Sequence, residues 1–210
     1  MLNIFARASL SKALAPLGSR LAGAGVTPDG VTVVGTLGAV AAAVALFGRG
    51  SFLAGTFVVW FFVMLDMVDG AVARARGVSS KFGALLDSTC DRAVDAALFG
   101  TLTWWFLGSG DSRPLALAAL LCLVMGVLTS YIKARAEGLG LSCDVGFAER
   151  AERLIIVLVG TGLEGFGVPY VLAVTLWFLV GATTVTVAQR LVEVHRQSAL
   201  DAVGPGKAAG

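Results

Sequence analysis

The sequence predicts an all-α integral membrane protein of six transmembrane helices with an N-terminal interfacial amphipathic helix, on three observations. Of its 210 residues, 57 % are hydrophobic and 14 % charged, against roughly 45–50 % and about 25 % in an average soluble domain. Apolar runs recur at 31–47, 52–65, 94–107, 115–132, 154–163 and 168–187. Each reaches about 20 residues with its mildly polar flanks, the length a bilayer core demands. The third observation is where the 16 Lys and Arg fall. With alternate loops assigned to the two sides, one side holds Arg7, Lys12, Arg20, Arg74, Arg76, Lys81, Lys133, Arg135, Arg150, Arg153, Arg190, Arg196 and Lys207, while the other holds Arg49 and Arg113 and a span holds Arg92. The positive-inside rule then places both termini and the 74–81 and 133–153 connections in the cytoplasm of a cell membrane. Six spans with short loops leave no room for a soluble domain and exclude a secreted, fibrous or disordered protein.

Taken in order, Met1–Arg20 reads as the interfacial helix, with Leu2, Ile4, Phe5, Leu10, Leu14 and Leu17 on its apolar face. A cleaved signal peptide is disfavoured because Arg7, Ser9, Ser11 and Lys12 interrupt any apolar region. Helix 1 is expected from about Gly30 to Phe47, helix 2 from Phe52 to Arg76, helix 3 from Phe82 to Leu107, and helix 4 from Pro114 to Glu137. Helix 5 follows from Ala148 to Gly162 and helix 6 from Pro169 to His195. Pro28, Pro114 and Pro169 serve as start signals. The domain reading is therefore residues 1–20 as the interfacial helix, 21–196 as one six-helix membrane domain and 197–210 as a flexible cytoplasmic tail. No internal repeat is evident, which counts against an inverted-repeat transporter. Cys90, Cys122 and Cys143 are odd in number and read as small reduced hydrophobes. Gly35, Gly38, Gly100 and Gly126 are expected at helix-packing sites, and Trp104-Trp105 at the outer membrane interface.

The chemistry lies in LDMVDGAVARARGVSSKFGALLDSTCDRAVDA, residues 65–96. Asp66, Asp69, Asp87, Asp91 and Asp95 stand within two apolar helices, where an uncompensated charge costs at least about 2.5–3.5 kcal/mol. Asp66 and Asp69 are i, i+3 and Asp87 and Asp91 are i, i+4, so each pair shares a helix face. Counted from Arg76 and Lys81, both pairs lie up to about 15 Å inside their helix ends. Two facing pairs make a tetra-carboxylate cage open to the cytoplasm. Oxygen ligands without His or Cys favour Mg²⁺ or Mn²⁺, and two divalent ions would neutralise four carboxylates. Such a pair suits phosphoryl transfer from a diphosphate. Gly70 and Gly83 would let a bulky ligand approach the backbone, with Arg74 one turn beyond Gly70 facing the same phosphates. Arg92 with Asp95 reads as a structural ion pair, and Arg76 and Lys81 as interfacial anchors. Asp29 is a candidate N-cap for helix 1.

The pattern Asp66-x2-Asp69-Gly70-x2-Ala73-Arg74-x8-Gly83-x3-Asp87-x3-Asp91 fills every position of a motif with eight fixed residues over 26. It resembles the signature of the CDP-alcohol phosphotransferases, a family of six-helix homodimeric membrane enzymes. The resemblance implies two metal ions held by Asp66, Asp69, Asp87 and Asp91, with Asp91 also the catalytic general base. It implies a CDP-lipid site formed by Asp29, Gly30, Val31, Thr32, Gly70, Arg74 and Ser80. The stretches VVWFFVMLDMVDGA, LDSTCDR, SYIKARAE and ERAERLIIVL are most similar to the actinobacterial branch that joins CDP-diacylglycerol to inositol 1-phosphate and releases CMP. Ala151 departs from that branch, where Pro is expected between Glu149-Arg150 and Glu152-Arg153.

Similarity around Lys133, Arg153 and Arg190 implies the acceptor phosphate site. Lys133 and Arg135 are two apart, hence about 200° apart on a helix, and cannot both enter one pocket. Lys133 is chosen because it, Arg153 and Arg190 lie near three helix ends that could converge. Three converging cations suit an ionised phosphate, so the expected acceptor is inositol 1-phosphate, with glycerol 3-phosphate the alternative. The residues of 133–153 could also be no more than a basic cytoplasmic loop. Two other function classes remain at this point: an intramembrane prenyltransferase, which needs a different Asp spacing, and a divalent-metal transporter, which needs neither Arg74 nor Gly83.

Overall fold

The computed structural model describes residue 16, residues 18–77 and residues 80–203, with only the backbone at 66–67 and 201–203. Among these, every regular element is helical: α1 (Pro28–Leu46), a 3-10 turn (Phe47–Arg49), α2 (Phe52–Arg76), α3 (Lys81–Leu107), α4 (Arg113–Gly138), α5 (Arg150–Gly165) and α6 (Val171–Val203). The interfacial helix expected over 1–20 lies outside the described residues except for its last few positions, as do residues 204–210 of the expected tail. Pro28–Arg49, Phe52–Arg76, Arg113–Gly138 and Val171–Leu200 are long and apolar enough to cross a membrane. The described residues are thus all-helical in regular structure, as a helical membrane protein requires. The helices expected third and fifth exist, but α3 carries the charged motif residues, and the 16 residues of α5 reach only about 24 Å.

The chain divides into two compact units, 1–101 and 102–210, the division falling within α3. In the first unit, α1 and α2 pack antiparallel: Gly38 faces the Phe62 ring midway along both helices and Thr32 meets Asp69 towards the start of α1 and the end of α2. The close approach follows from small residues, since Gly35, Ala39, Ala42 and Ala43 are all buried. Gly50, at φ 74°, closes the turn between them, and the fully buried Phe47 ring lies against Phe52, centroids 6.1 Å apart. A Cβ at Gly55 would collide with that ring. Before α1, residues 18–23 are helical; Gly18 lies against the Ala71 backbone, and Arg76 donates to the Ala22 carbonyl at 3.3 Å. Arg76, expected as an anchor, thus ties this segment to α2.

In the second unit α4 and α6 run parallel. Cys122 contacts the Leu176 carbonyl at 3.4 Å, and Thr129 pairs with Arg190 further along both helices. The α5 helix returns along α6, with Gly160 against the Thr175 side chain. All three cysteines are free thiols, as expected.

Several expectations change. Thr27, not Asp29, caps α1: its side chain accepts from the Gly30 amide at 3.2 Å. Asp29 falls in the first turn, where the helix dipole still favours it. Pro169 does not open α6, because Tyr170 takes φ 60° and the helix begins at Val171. The same helix continues past His195 to Val203. Gly100 is not a packing site, since nothing described lies within 4 Å of a Cβ placed there. Gly126 does pack, but against the Arg153 guanidinium rather than another helix backbone. Trp104 is exposed, whereas Trp105 folds over Gly110 and stacks edge-on with Phe106, centroids 4.9 Å apart.

Candidate active site

The first unit gathers most of the expected carboxylate and nucleotide residues. Asp69 on α2 is close enough to Asp87 on α3 and to Asp29 at the start of α1 to feel both charges. Three helices therefore bring acidic side chains into one neighbourhood. Asp66 occupies the preceding turn of α2, with only its backbone described. Among the described residues no three carboxylates close into a finished ligand cluster. The donor chemistry nevertheless fits a hard divalent ion: oxygen donors only, grouped against their mutual repulsion in partly buried positions. Asp69 and Asp87 could contribute to holding such an ion, which when bound would offset the charge of the acids and of a diphosphate.

Thr32 is buried, and its hydroxyl lies against the Asp69 carboxylate and 3.2 Å from the Pro28 carbonyl. Its side chain thereby orients an expected metal ligand. Ser80 also has a prior duty, because its hydroxyl accepts from the Gly83 amide at 2.8 Å and caps the first turn of α3. A Cβ at Gly83 would lie 2.9 Å from that hydroxyl and 3.2 Å from an Asp29 carboxylate oxygen. Asp29, Ser80 and Gly83 therefore converge, although they come from two helices. Arg74 reaches back over Gly70, where an added Cβ would sit 3.3 Å from the guanidinium. The expected proximity of Gly70 and Arg74 is thus present in the fold. Gly30 and Val31 sit in the adjacent first turn of α1.

Asp91, the expected base, lies 3.5 Å from the Arg92 guanidinium, which also approaches Asp95 at 3.8 Å. The Arg92–Asp95 pair is as expected. The contact with Asp91 was missed, because neighbours in sequence are not normally read as partners on a helix.

The second unit brings together the three cations chosen for the acceptor. Thr129 on α4 joins two of them: Arg153 donates to its hydroxyl at 3.1 Å and Arg190 to its carbonyl. Lys133 lies one turn further along α4 and pairs with Asp144, and with Glu137 at 3.9 Å. Arg135 is exposed, as the helical spacing requires. Arg153 and Arg190 are only 3 % and 5 % exposed, and both also hold the chain between α4 and α5: Arg153 donates to the Ala148 carbonyl at 3.2 Å and Arg190 to the Val145 carbonyl at 2.9 Å. The Lys133 ammonium holds the exposed Asp144 carboxyl below its usual range. That pair therefore persists at neutral pH and dissolves only as pH falls through the lowered value. Sequence reasoning missed Thr129, Asp144 and Glu149. Thr129 is conspicuous only as a polar residue within an apolar helix, and the acids only as charges in a basic connection.

With this geometry in place, comparison with known proteins decides the family. The model of the CDP-alcohol phosphatidyltransferase family matches residues 25–188. The chain belongs to that family. Its curated relatives include the phosphatidylinositol phosphate synthase of Mycobacterium tuberculosis (strain ATCC 25618 / H37Rv), 47 % identical over 211 residues, covering 98 % of this chain and 97 % of that protein. The Streptomyces avermitilis protein of the same name is 45 % identical over 206 residues, covering 95 % and 84 %. A crystal structure of the Mycobacterium tuberculosis phosphatidylinositol phosphate synthase with CDP-DAG bound superimposes with a TM-score of 0.84 at 49 % identity, covering 87 % of this chain and 94 % of that one. A second, in complex with manganese and citrate, gives 0.82 at 49 % identity, covering 87 % and 88 %. As a CDP-alcohol phosphatidyltransferase the chain is a membrane enzyme of phospholipid synthesis, and its relative's manganese complex supports dependence on a divalent metal. The prenyltransferase and transporter readings fall with the family assignment.

Proposed function

We propose that this phosphatidyltransferase moves the phosphatidyl group of CDP-diacylglycerol onto a hydroxyl of inositol 1-phosphate, giving phosphatidylinositol phosphate and CMP. The observation that carries the acceptor is the gathering of Lys133, Arg153 and Arg190 around one turn of α4; its relatives' shared name supports it. A phosphorylated polyol suits three cations, because an ionised phosphate offers several oxygens to Arg and Lys donors.

The donor half falls to the first unit. Asp29, Gly30, Val31, Thr32, Gly70, Arg74 and Ser80 hold the CDP moiety, with the bare backbone at Gly30 and Gly70 allowing close approach and Arg74, beside Gly70, meeting the diphosphate. Two Mg²⁺ ions, replaceable by Mn²⁺, supply charge neutralisation when bound by Asp66, Asp69, Asp87 and Asp91. Asp91 accepts the proton of the acceptor hydroxyl as that oxygen attacks the phosphorus nearest diacylglycerol. The bond from that phosphorus to the CMP oxygen breaks, and CMP departs with the electron pair. Arg92 supplies Asp91 with a neighbouring positive charge throughout.

In this reading α3 and α5 join the four apolar helices as membrane spans, and residues 1–20 lie along the interface. Both termini and the active site face the cytoplasm, the enzyme is a homodimer, and residues 21–196 act as one membrane domain. The test is an acceptor panel with the lipid product identified by mass spectrometry. Feeding inositol 1-phosphate should yield phosphatidylinositol phosphate, whereas product from glycerol 3-phosphate or free inositol alone would reassign the acceptor.

A further inference from the structure

The chain from 141 to 149 is an irregular strap laid along one face of α6. The Gln197 amide pairs with the Ser142 amide at 3.0 Å and with its carbonyl at 2.8 Å. Arg190 holds the Val145 carbonyl, Gln189 accepts from the Phe147 amide at 3.2 Å, and Thr186 accepts from the Ala148 amide at 2.9 Å. These anchors recur at helical spacing, so one side of α6 fixes the register of the strap. Gly146 permits the approach: its φ is 152°, and a Cβ there would stand 2.6 Å from the Thr186 methyl. The fixed register delivers two carboxylates to two of the three acceptor cations. Asp144 pairs with Lys133, and Glu149 lies 3.7 Å from Arg190.

We propose that Asp144 is an affinity-setting residue for the acceptor: its carboxylate occupies Lys133 as an internal anion, and the acceptor phosphate binds by exchanging with it. The proposal rests on the acceptor reading given above. Exchange is inexpensive because the Asp144 side chain is 78 % exposed and that of Lys133 35 %, and exposed ion pairs contribute little. It is nevertheless a standing competition, because the strap holds the carboxylate at high effective concentration. A phosphate wins by bringing up to two charges and three acceptor oxygens against one charge. When Lys133 turns to the phosphate, Asp144 is released to water, where it needs no other partner.

The test compares wild type, Asp144→Asn and Asp144→Glu, purified in detergent with CDP-diacylglycerol and Mg²⁺. Asp144→Asn should lower the KM for inositol 1-phosphate about two- to fivefold, the range exposed ion pairs support, with the donor KM unchanged. Asp144→Glu, which keeps the charge, should restore the wild-type value. Inorganic phosphate titrated calorimetrically into the same three proteins should bind more tightly to the Asn variant by a similar factor. A raised KM in Asp144→Asn would make Asp144 a ligand of the acceptor rather than its competitor, and unchanged KM and phosphate affinity would leave the contact without a role; either overturns the proposal. If wild type does not use inositol 1-phosphate, the acceptor reading fails, and the phosphate titration alone still decides whether Asp144 competes for Lys133.

Discussion

At the scale of single residues, the two classes of functional side chain bear their loads differently. Asp91 is partly exposed beside Arg92, so Asp91→Asn should leave the fold intact and CDP-lipid binding measurable, one ligand among several being lost, while turnover falls at least about a hundredfold, the contribution of a positioned general base. Retention of a tenth of wild-type turnover would show that the base lies elsewhere. Arg153 and Arg190 are different, since each holds a backbone carbonyl as well as being proposed for the acceptor site. Arg190→Ala should raise the acceptor KM or cut turnover by tenfold or more, as loss of a charged hydrogen bond worth about 1.5–3 kcal/mol implies. It should also lower thermal stability, because the Val145 and Thr129 carbonyls lose their donor. Wild-type kinetics in Arg190→Ala would return Arg190 to a purely structural role. The motif acids were legible in sequence because charges inside apolar helices are costly and therefore conspicuous. Thr129, whose partner Arg190 lies 61 residues away, leaves no local trace.

Elements were legible where composition changes sharply. Helix α1 begins where Pro28 sits, and α2 ends at Gly77, whose φ of 63° suits a helix terminator. The end of α6 was misjudged because Arg196 and Gln197 stand beyond the expected helix end at His195, where the polar tail was read to begin. They instead extend the helix, and Gln197 is occupied in holding Ser142. The strap itself carries no periodicity, so its register was invisible in sequence. Gly146→Val should expose that dependence. With φ at 152° and Thr186 in the way, the variant should shift the thermal midpoint downward and alter acceptor kinetics while leaving the donor KM near wild type. Equal stability and equal acceptor KM would show that the strap tolerates displacement from α6.

For the whole molecule, hydropathy and charge placement announced a membrane enzyme, and the comparisons place it among the CDP-alcohol phosphatidyltransferases. Four helices meet the length and composition needed to span. Among the other described helices, α3 misses that criterion because Asp91, Arg92 and Asp95 charge its apolar stretch, and α5 because it has only 16 residues. Activity of the intact protein should vanish in excess chelator and return with Mg²⁺ or Mn²⁺, because the grouped carboxylates offer only oxygen donors. The most direct measurement of the central claim is CMP release by the purified protein supplied with CDP-diacylglycerol and Mg²⁺, with and without inositol 1-phosphate. The account predicts CMP formed in step with phosphatidylinositol phosphate, only when acceptor and metal are both present, and lost in Asp91→Asn; full CMP release after exhaustive chelation, or none with inositol 1-phosphate, would contradict it.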